Sequence, residues 1–390
     1  MEEPLDIPVP STPNQPQPAP WGPDKIRRVA ICTGGGDAPG LNAVIRAAVI
    51  SAMNRGWECI GIRDGYGGIL FPERYDGQGT FRITRDMVRG ITHLGGTILG
   101  TTNKGNPMRF PVKQADGTVK EIDRTDEIVT YFAMHEIDAL ISIGGDGSLA
   151  ISHALACRGL RVVCVPKTID NDLDKTITTF GFDSAVAFAS EALDRLHSTA
   201  ESHQRVIVVE LMGRYAGWIA LNTGIAGTAH VILIPEIPFD MEKVAAKILA
   251  REQQGRHHTI VVVAEGAMPR EGHVTLLAPA EHGDTERLGG IGESVARAIH
   301  ERTGKDVRTV VLGHLLRGGT PTSCDRLISL RFGAAAVRAL DEGVSGVMVA
   351  LDPPVVRYIP IDEVFGRMKK VPLDCDTVLT ARDLGISFGD

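Results

Sequence analysis

No stretch of the chain approaches the roughly 20 consecutive apolar residues that a bilayer-spanning helix needs, so no membrane partner is expected. No block of lysine and arginine is present and the formal net charge is −7, which argues against a nucleic-acid partner. The first residues lack a charged-then-apolar leader pattern. The six cysteines, Cys32, Cys59, Cys157, Cys164, Cys324 and Cys375, form no Cys-x-x-Cys pair, and Cys32 and Cys164 fall in apolar runs. Buried free thiols and a cytoplasmic location are therefore expected. What is present is ordinary for a globular protein: 390 residues, 43% hydrophobic and 23% charged, enough for two large domains.

Residues 1–24 are rich in proline and read as a disordered or extended tail. From Arg28 onward strand-like and helix-like segments alternate, which predicts an α/β fold with mostly parallel sheets. Residues 80–109 read as a short helix followed by a polar Gly/Thr loop. Residues 112–124 read as a hairpin turning at Asp116-Gly117, and residues 266–288 as an irregular insert.

The densest chemistry lies between Ile141 and Asp172. One apolar run ends in Gly144-Gly145-Asp146-Gly147-Ser148, and a second ends in Pro166-Lys167-Thr168-Ile169-Asp170-Asn171-Asp172. Residues 149–158 between them contain neither proline nor glycine, so the stretch reads as strand, helix, strand. Ligands of open α/β sheets bind at the carboxyl ends of such strands. Glycines let backbone N–H groups approach an anion, and a helix starting near Ser148 directs its positive end there. Asp146, Asp170 and Asp172 crowd the same edge. Alone they would repel, which implies a metal ion, a proton-transfer role, or both. In extended chain Thr168, Asp170 and Asp172 would share one face. Gly, Asp and Ser are also ordinary turn and cap residues, but the pairing of both clusters across one strand–helix–strand unit favours phosphate chemistry.

A second glycine loop, GGGDAPG at residues 34–40, follows another strand with the same logic. It is no P-loop, since no Lys-Ser/Thr follows, and Asp37 and Pro39 disrupt dinucleotide spacing. Tyr66, among glycines, would pack either on a ligand base or on its neighbours.

The clusters GGGDAPG, LGTTNKG, GGDGS, PKTIDND, MGRYAG, PE and HLLRGGTPTSCDR, in this order, closely resemble the phosphofructokinase family from about Arg28 to about Asp376. The resemblance implies two Rossmann-like three-layer α/β/α domains with the active site in the cleft between them. Residues 25–180 plus about 316–365 would hold the donor, ATP with Mg2+. Residues 181–315 plus about 366–390 would hold fructose 6-phosphate. The implied reaction moves a phosphoryl group to the sugar's 1-hydroxyl, giving fructose 1,6-bisphosphate.

By the same resemblance Asp170 would be the general base, with Asp172 supporting it and Thr168 holding the substrate or the transferred group. Asp146 would hold Mg2+, and Gly36, Tyr66, Gly145, Gly147 and Ser148 would line the donor site. Met212, Gly213, Arg214 and Glu236 would bind the sugar, with Arg214 also counted among the catalytic groups. Arg205, Arg308, His314 and Arg317 would bind its 6-phosphate, with Arg205 and Arg308 reaching from a neighbouring subunit of a homodimer or homotetramer. Where the family's bacterial ATP enzymes have an arginine against the donor, Asn103 stands beside Lys104, leaving Lys104 or Lys167 as the cation. Control at their effector site is also in question, since Arg46 is followed one turn later by Ile50 where a second arginine would stand.

Two positions bear on the donor. Pyrophosphate users carry Asp where this chain has Gly147, obstructing a nucleotide by bulk and charge. They also carry lysine before TIDND, as here at Lys167. A lysine beside phosphates suits either donor, so ATP is expected and diphosphate is the alternative. NAD and diacylglycerol kinases resemble only the GGDG-type cluster. A noncatalytic sugar-phosphate or nucleotide sensor on the same fold would not need Asp146, Asp170, Asp172 and Arg214 together.

Overall fold

The computed structural model describes residues 25–278 and 287–390. The first part runs β1 (Arg28–Thr33), α1 (Leu41–Asn54), β2 (Glu58–Ile62), α2 (Gly67–Leu70), β3 (Thr80–Ile83), a hairpin of β4 (Phe110–Lys113) and β5 (Val119–Ile122), α3 (Thr125–Met134), β6 (Ala139–Gly144), α4 (Asp146–Cys157) and β7 (Val162–Pro166). The second runs α5 (Phe182–His203), β8 (Val206–Leu211), α6 (Trp218–Ala226), β9 (Val231–Leu233), α7 (Met241–Gln253), β10 (Thr259–Ala264), β11 (Leu276–Ala278), β12 (Arg287–Leu288), α8 (Ile291–Thr303) and β13 (Val307–Val311). The chain closes with α9 (Ser323–Asp341), β14 (Val347–Asp352), β15 (Val355–Pro360) and α10 (Asp376–Asp383).

Two main sheets result. One has seven strands in the order β15-β14-β7-β6-β1-β2-β3, parallel except at its two edges. The other has four parallel strands in the order β13-β8-β10-β9. Strands β6, β7, β8 and β10 are buried at every residue. Their unbroken Val/Ile/Leu-rich runs are what a sheet covered by helices on both faces requires. Helix α1 buries Leu41, Val44, Ile45, Ala48, Val49 and Ala52, an apolar stripe at helical spacing. Helix α9 crosses it at Gly333, where a Cβ would come within 2.4 Å of the Val44 carbonyl and 2.9 Å of the Ala47 Cβ. Chain from beyond residue 320 thus closes over the first helix.

The expected helix within residues 80–109 does not form. Thr80–Ile83 is an edge strand antiparallel to β2, and among the described residues 84–106 are turns and loop. Phe81 and Ile83 pack over Gly61, whose absent side chain makes room for them. The hairpin forms as expected, with Asp116 accepting from the Thr118 amide and Gly117 left-handed. The insert contributes the β11–β12 pair; its residues 279–286 lie outside those described, as does the proline-rich tail. All six cysteines are free. Cys32, Cys59 and Cys164 are buried, but Cys157 and Cys324 are exposed. Among the described residues no helix is long and apolar enough to cross a membrane.

Candidate active site

Strands β1, β6 and β7 are parallel neighbours, so the loops at their carboxyl ends meet. The Gly34 amide donates to the Ile143 carbonyl at 2.9 Å. The Ser148 side chain fills the gap between the two glycine loops: a Cβ on Gly34 would lie 2.6 Å from its Oγ, and one on Gly144 would lie 2.2 Å from it. The LGTTNKG loop joins them, with the Gly35 amide donating to the Thr102 carbonyl at 2.9 Å and the Thr101 hydroxyl to the Gly35 carbonyl at 2.6 Å. Asn103 and Lys104 stand exposed on its rim.

Helix α4 begins at Asp146, two residues earlier than the sequence suggested. Asp146 and Gly147 are exposed at its positive end, and Gly145 caps it in extended conformation. One Asp146 oxygen accepts from the Gly366 amide at 2.7 Å. A Cβ on Gly147 would meet nothing within 4 Å, so neither backbone strain nor packing demands a glycine there. Among the described residues no three His, Cys, Asp or Glu side chains gather to hold a metal. A single exposed carboxylate beside a glycine cradle fits Mg2+, which binds one or two carboxylates and takes its other oxygens from phosphate and water.

Lys167 is buried beneath the glycine loop of residues 34–40, with its ammonium donating to the Gly36 carbonyl. Burial and the nearby Arg317 push its pKa down to about 8, against the pull of Asp170, Asp37 and Asp172. Arg317 crosses the same glycine: a Cβ on Gly36 would strike its guanidinium at 1.4 Å. The Nε of Arg317 is buried without a partner.

Thr168, Asp170 and Asp172 do gather, but not by strand alternation. Asn171 has φ of 52°, turning the chain between the two carboxylates, and the Thr168 hydroxyl accepts from the Asp170 amide at 3.0 Å. Asp170 is buried, with Oδ1 lacking any hydrogen-bond partner. Burial raises its pKa, Arg317, Arg214 and Lys167 oppose that, and Glu265 adds to it. Asp172 is raised to about 6 by burial and by Asp170.

The second sheet supplies the facing wall. Gly213 and Arg214 follow β8 with φ of 146° and 50°, a cramped turn in which a Gly213 Cβ would lie 2.7 Å from the Ala216 carbonyl. The turn is held by Glu265 at the end of β10, which accepts from the Gly213 amide at 3.2 Å and the Arg214 amide at 2.9 Å. Met212, next to it, is half-buried. Glu265 is buried and its pKa is raised by burial. Sequence reasoning missed it, although its signal was there: an apolar strand, β10, running straight into a lone carboxylate.

The other expected residues sit in varied settings. Tyr66 is 8% exposed, its ring turned into the core with Cys32, Leu140 and Cys164, so burial of the ring removes it from the loop surface. Glu236 accepts from the Gly217 amide at 3.0 Å and the Val371 amide at 2.9 Å. Arg205 and Arg308 are both ion-paired to Asp306 of the same chain, at the edge strand β13. His314 is exposed on the 3-10 turn Gly313–Arg317 that also carries Arg317.

Two α/β sheets, glycine loops at a helix N-terminus and a buried carboxylate ringed by cations make a site for moving a phosphoryl group. The phosphofructokinase family model matches residues 28–340, and the chain belongs to that family. It is 50% identical over 369 residues to an ATP-dependent 6-phosphofructokinase of Chloroflexus aurantiacus, covering 94% of this chain and 99% of that protein. It is also 46% identical over 366 residues to a pyrophosphate–fructose 6-phosphate 1-phosphotransferase of Streptomyces coelicolor, covering 93% of this chain and 100% of that protein. The solved pyrophosphate-dependent phosphofructokinase of Nitrosospira multiformis shares the fold, with a TM-score of 0.76 at 21% identity over 94% of this chain and 93% of that one.

Proposed function

We propose that the chain transfers the terminal phosphoryl group of ATP to the 1-hydroxyl of fructose 6-phosphate. The observation that carries this is Asp170: a buried carboxylate with one unpartnered oxygen, between the donor loops and the Arg214 wall. Asp170 takes the hydroxyl proton as the sugar oxygen forms its bond to the terminal phosphorus and the bond to the leaving ADP oxygen breaks. Arg214 and Lys167 bring positive charge to the transferred group, and the amides of residues 145–148 face the donor. Mg2+ on Asp146 would neutralise charge on the donor phosphates. The 6-phosphate falls to His314 and Arg317, joined by Arg205 and Arg308 of a neighbouring subunit.

ATP is favoured as donor because a side chain at Gly147 would project into open space where a nucleotide must lie. Diphosphate is the second reading, kept by Lys167 under the glycine loop and by the Streptomyces coelicolor relative. Purified protein assayed with Mg2+, fructose 6-phosphate and each donor decides between them, and turnover with diphosphate alone would overturn the first reading. The division into a donor domain on the seven-stranded sheet and a sugar-phosphate domain on the four-stranded sheet belongs to the same proposal, as does a cytoplasmic location. Assembly into a homodimer or homotetramer is supported by β13, an edge strand flanked by Val311 at 58% and Leu315 at 62% exposure. Light scattering in solution measures it.

A further inference from the structure

The segment from Gly366 to Val371 contains none of the site residues above, yet it touches both walls of the site. The Gly366 amide donates to Asp146 at 2.7 Å. Met368 bridges Leu173 in antiparallel fashion, and the Lys369 amide donates to the Asp172 carbonyl at 2.8 Å. On the opposite wall the Lys369 carbonyl accepts from the Trp218 indole at 2.9 Å, and the Val371 amide donates to Glu236.

The Lys369 side chain turns inward from this strap. Its ammonium donates to Asn171 Oδ1 at 2.8 Å, to the Thr176 carbonyl at 2.8 Å and to the Ile177 carbonyl at 3.1 Å. An ammonium has three donors, and each has an acceptor here. The first acceptor belongs to the residue that joins Asp170 to Asp172. Asn171 is left-handed, a conformation Asn adopts more readily than other side chains and one that its own side-chain hydrogen bonds can fix. Its Oδ1 is gripped from two sides, by Lys369 and by the Thr179 amide at 3.2 Å.

We infer that Lys369 is a positioning residue for phosphoryl transfer: its ammonium locks the Asn171 turn and so aims Asp170 and Asp172 at the acceptor hydroxyl. This role rests on the reading of Asp170 as the base. Removing the ammonium leaves three acceptors without that donor and costs some stability, so the test separates this from the loss of rate. Burial lowers its pKa to about 8, with Asp172 and Asp174 opposing.

The test uses the purified full-length enzyme. Lys369→Met lowers kcat by about 30- to 100-fold, the scale set by a misplacement of about 1 Å. The KM values for both substrates stay within about threefold and the loss of kcat persists well below the thermal midpoint, which a merely structural residue would not give. Lys369→Arg also loses kcat, because a planar fork cannot direct three donors from one point. Ethylamine added to Lys369→Ala recovers part of the rate. A kcat within about twofold of the parent in Lys369→Met overturns the role. So does a loss matched by rising KM, a loss that vanishes when assayed well below the midpoint, or a failure of the amine to restore any rate. Should Lys369→Met not fold, Asn171→Ala removes the acceptor from the other side. It is expected to lose kcat alike, and to lose no more when combined with Lys369→Arg; multiplying losses count against the role. Asp170→Asn is measured alongside. If it keeps its rate, the reading of the base fails. If it is inactive while Lys369→Met is normal, only the positioning role fails.

Discussion

Replacement of Gly147 by aspartate isolates the donor question from the fold. The position is second in α4, has no left-handed φ, and offers open space to an added Cβ. A helix tolerates Asp better than Gly by a few tenths of a kcal/mol, and an acid in the first turn adds about 0.3–1 kcal/mol. The thermal midpoint should therefore hold or rise. The new carboxylate would face the donor. At a separation of about 5 Å and an effective dielectric of about 20, one added like-charge pair costs about 3.3 kcal/mol, or roughly 250-fold in donor kcat/KM. Screened fully, as in bulk water, the same pair would cost only about fourfold. Steady-state kinetics of Gly147→Asp with ATP, beside a melting curve, tests the reasoning. A loss of less than about fourfold would refute it, and so would a loss accompanied by a collapsed midpoint, since the structure gives no reason for instability.

Further outcomes follow from the same geometry. Asp170→Asn should lower kcat by about 10²–10⁴-fold with little change in either KM, by initial-rate kinetics. Asp172 binds its proton more tightly folded than unfolded, so its contribution to stability is present below about pH 4 and is lost as pH rises through about 6. Catalysis needs Asp172 ionised beside the base, so kcat/KM should rise as pH passes through about 6. Asp172→Asn removes that titration and should remove the limb near pH 6. Gly333→Val should destabilise by about 1–3 kcal/mol in denaturant titrations, because its side chain would meet the Val44 carbonyl and Ala47. Arg46 already donates to the Val88 carbonyl at 3.0 Å and has Ile50 one turn on. Fructose 6-phosphate saturation should accordingly be hyperbolic and shift less than about twofold with ADP or phosphoenolpyruvate, a scale at which coupling is well under 1 kcal/mol.

Much of the fold was legible because it is written locally. Apolar runs ending in glycine clusters gave β1 and β6, one ending in PKTIDND gave β7, and Asp116-Gly117 gave its hairpin. Strand β3 was missed because four residues at a sheet edge carry too little pattern, and their pairing depends on a distant glycine. The face shared by Thr168, Asp170 and Asp172 was read from strand alternation, whereas a left-handed Asn171 brings them together. No local rule reveals that turn, since Lys369 and Thr179 hold it. Glu265 is 51 residues from the Arg214 amide it binds, and Lys369 is 198 from Asn171. Tyr66 looked like a loop aromatic because its glycine neighbours hide that its ring has a core to enter.

The crossing of α9 over α1 also bears on how the protein is made. The apolar stripe of Leu41, Val44 and Ala48 leaves the ribosome early, but Gly333 and its helix emerge some 280 residues later. At about 5–20 residues per second that is a delay of roughly 15–60 s, during which the first sheet also lacks β14 and β15. Early folding of the amino-terminal half is thus incomplete by construction, and a nascent chain stalled before residue 323 should present that stripe to chaperones.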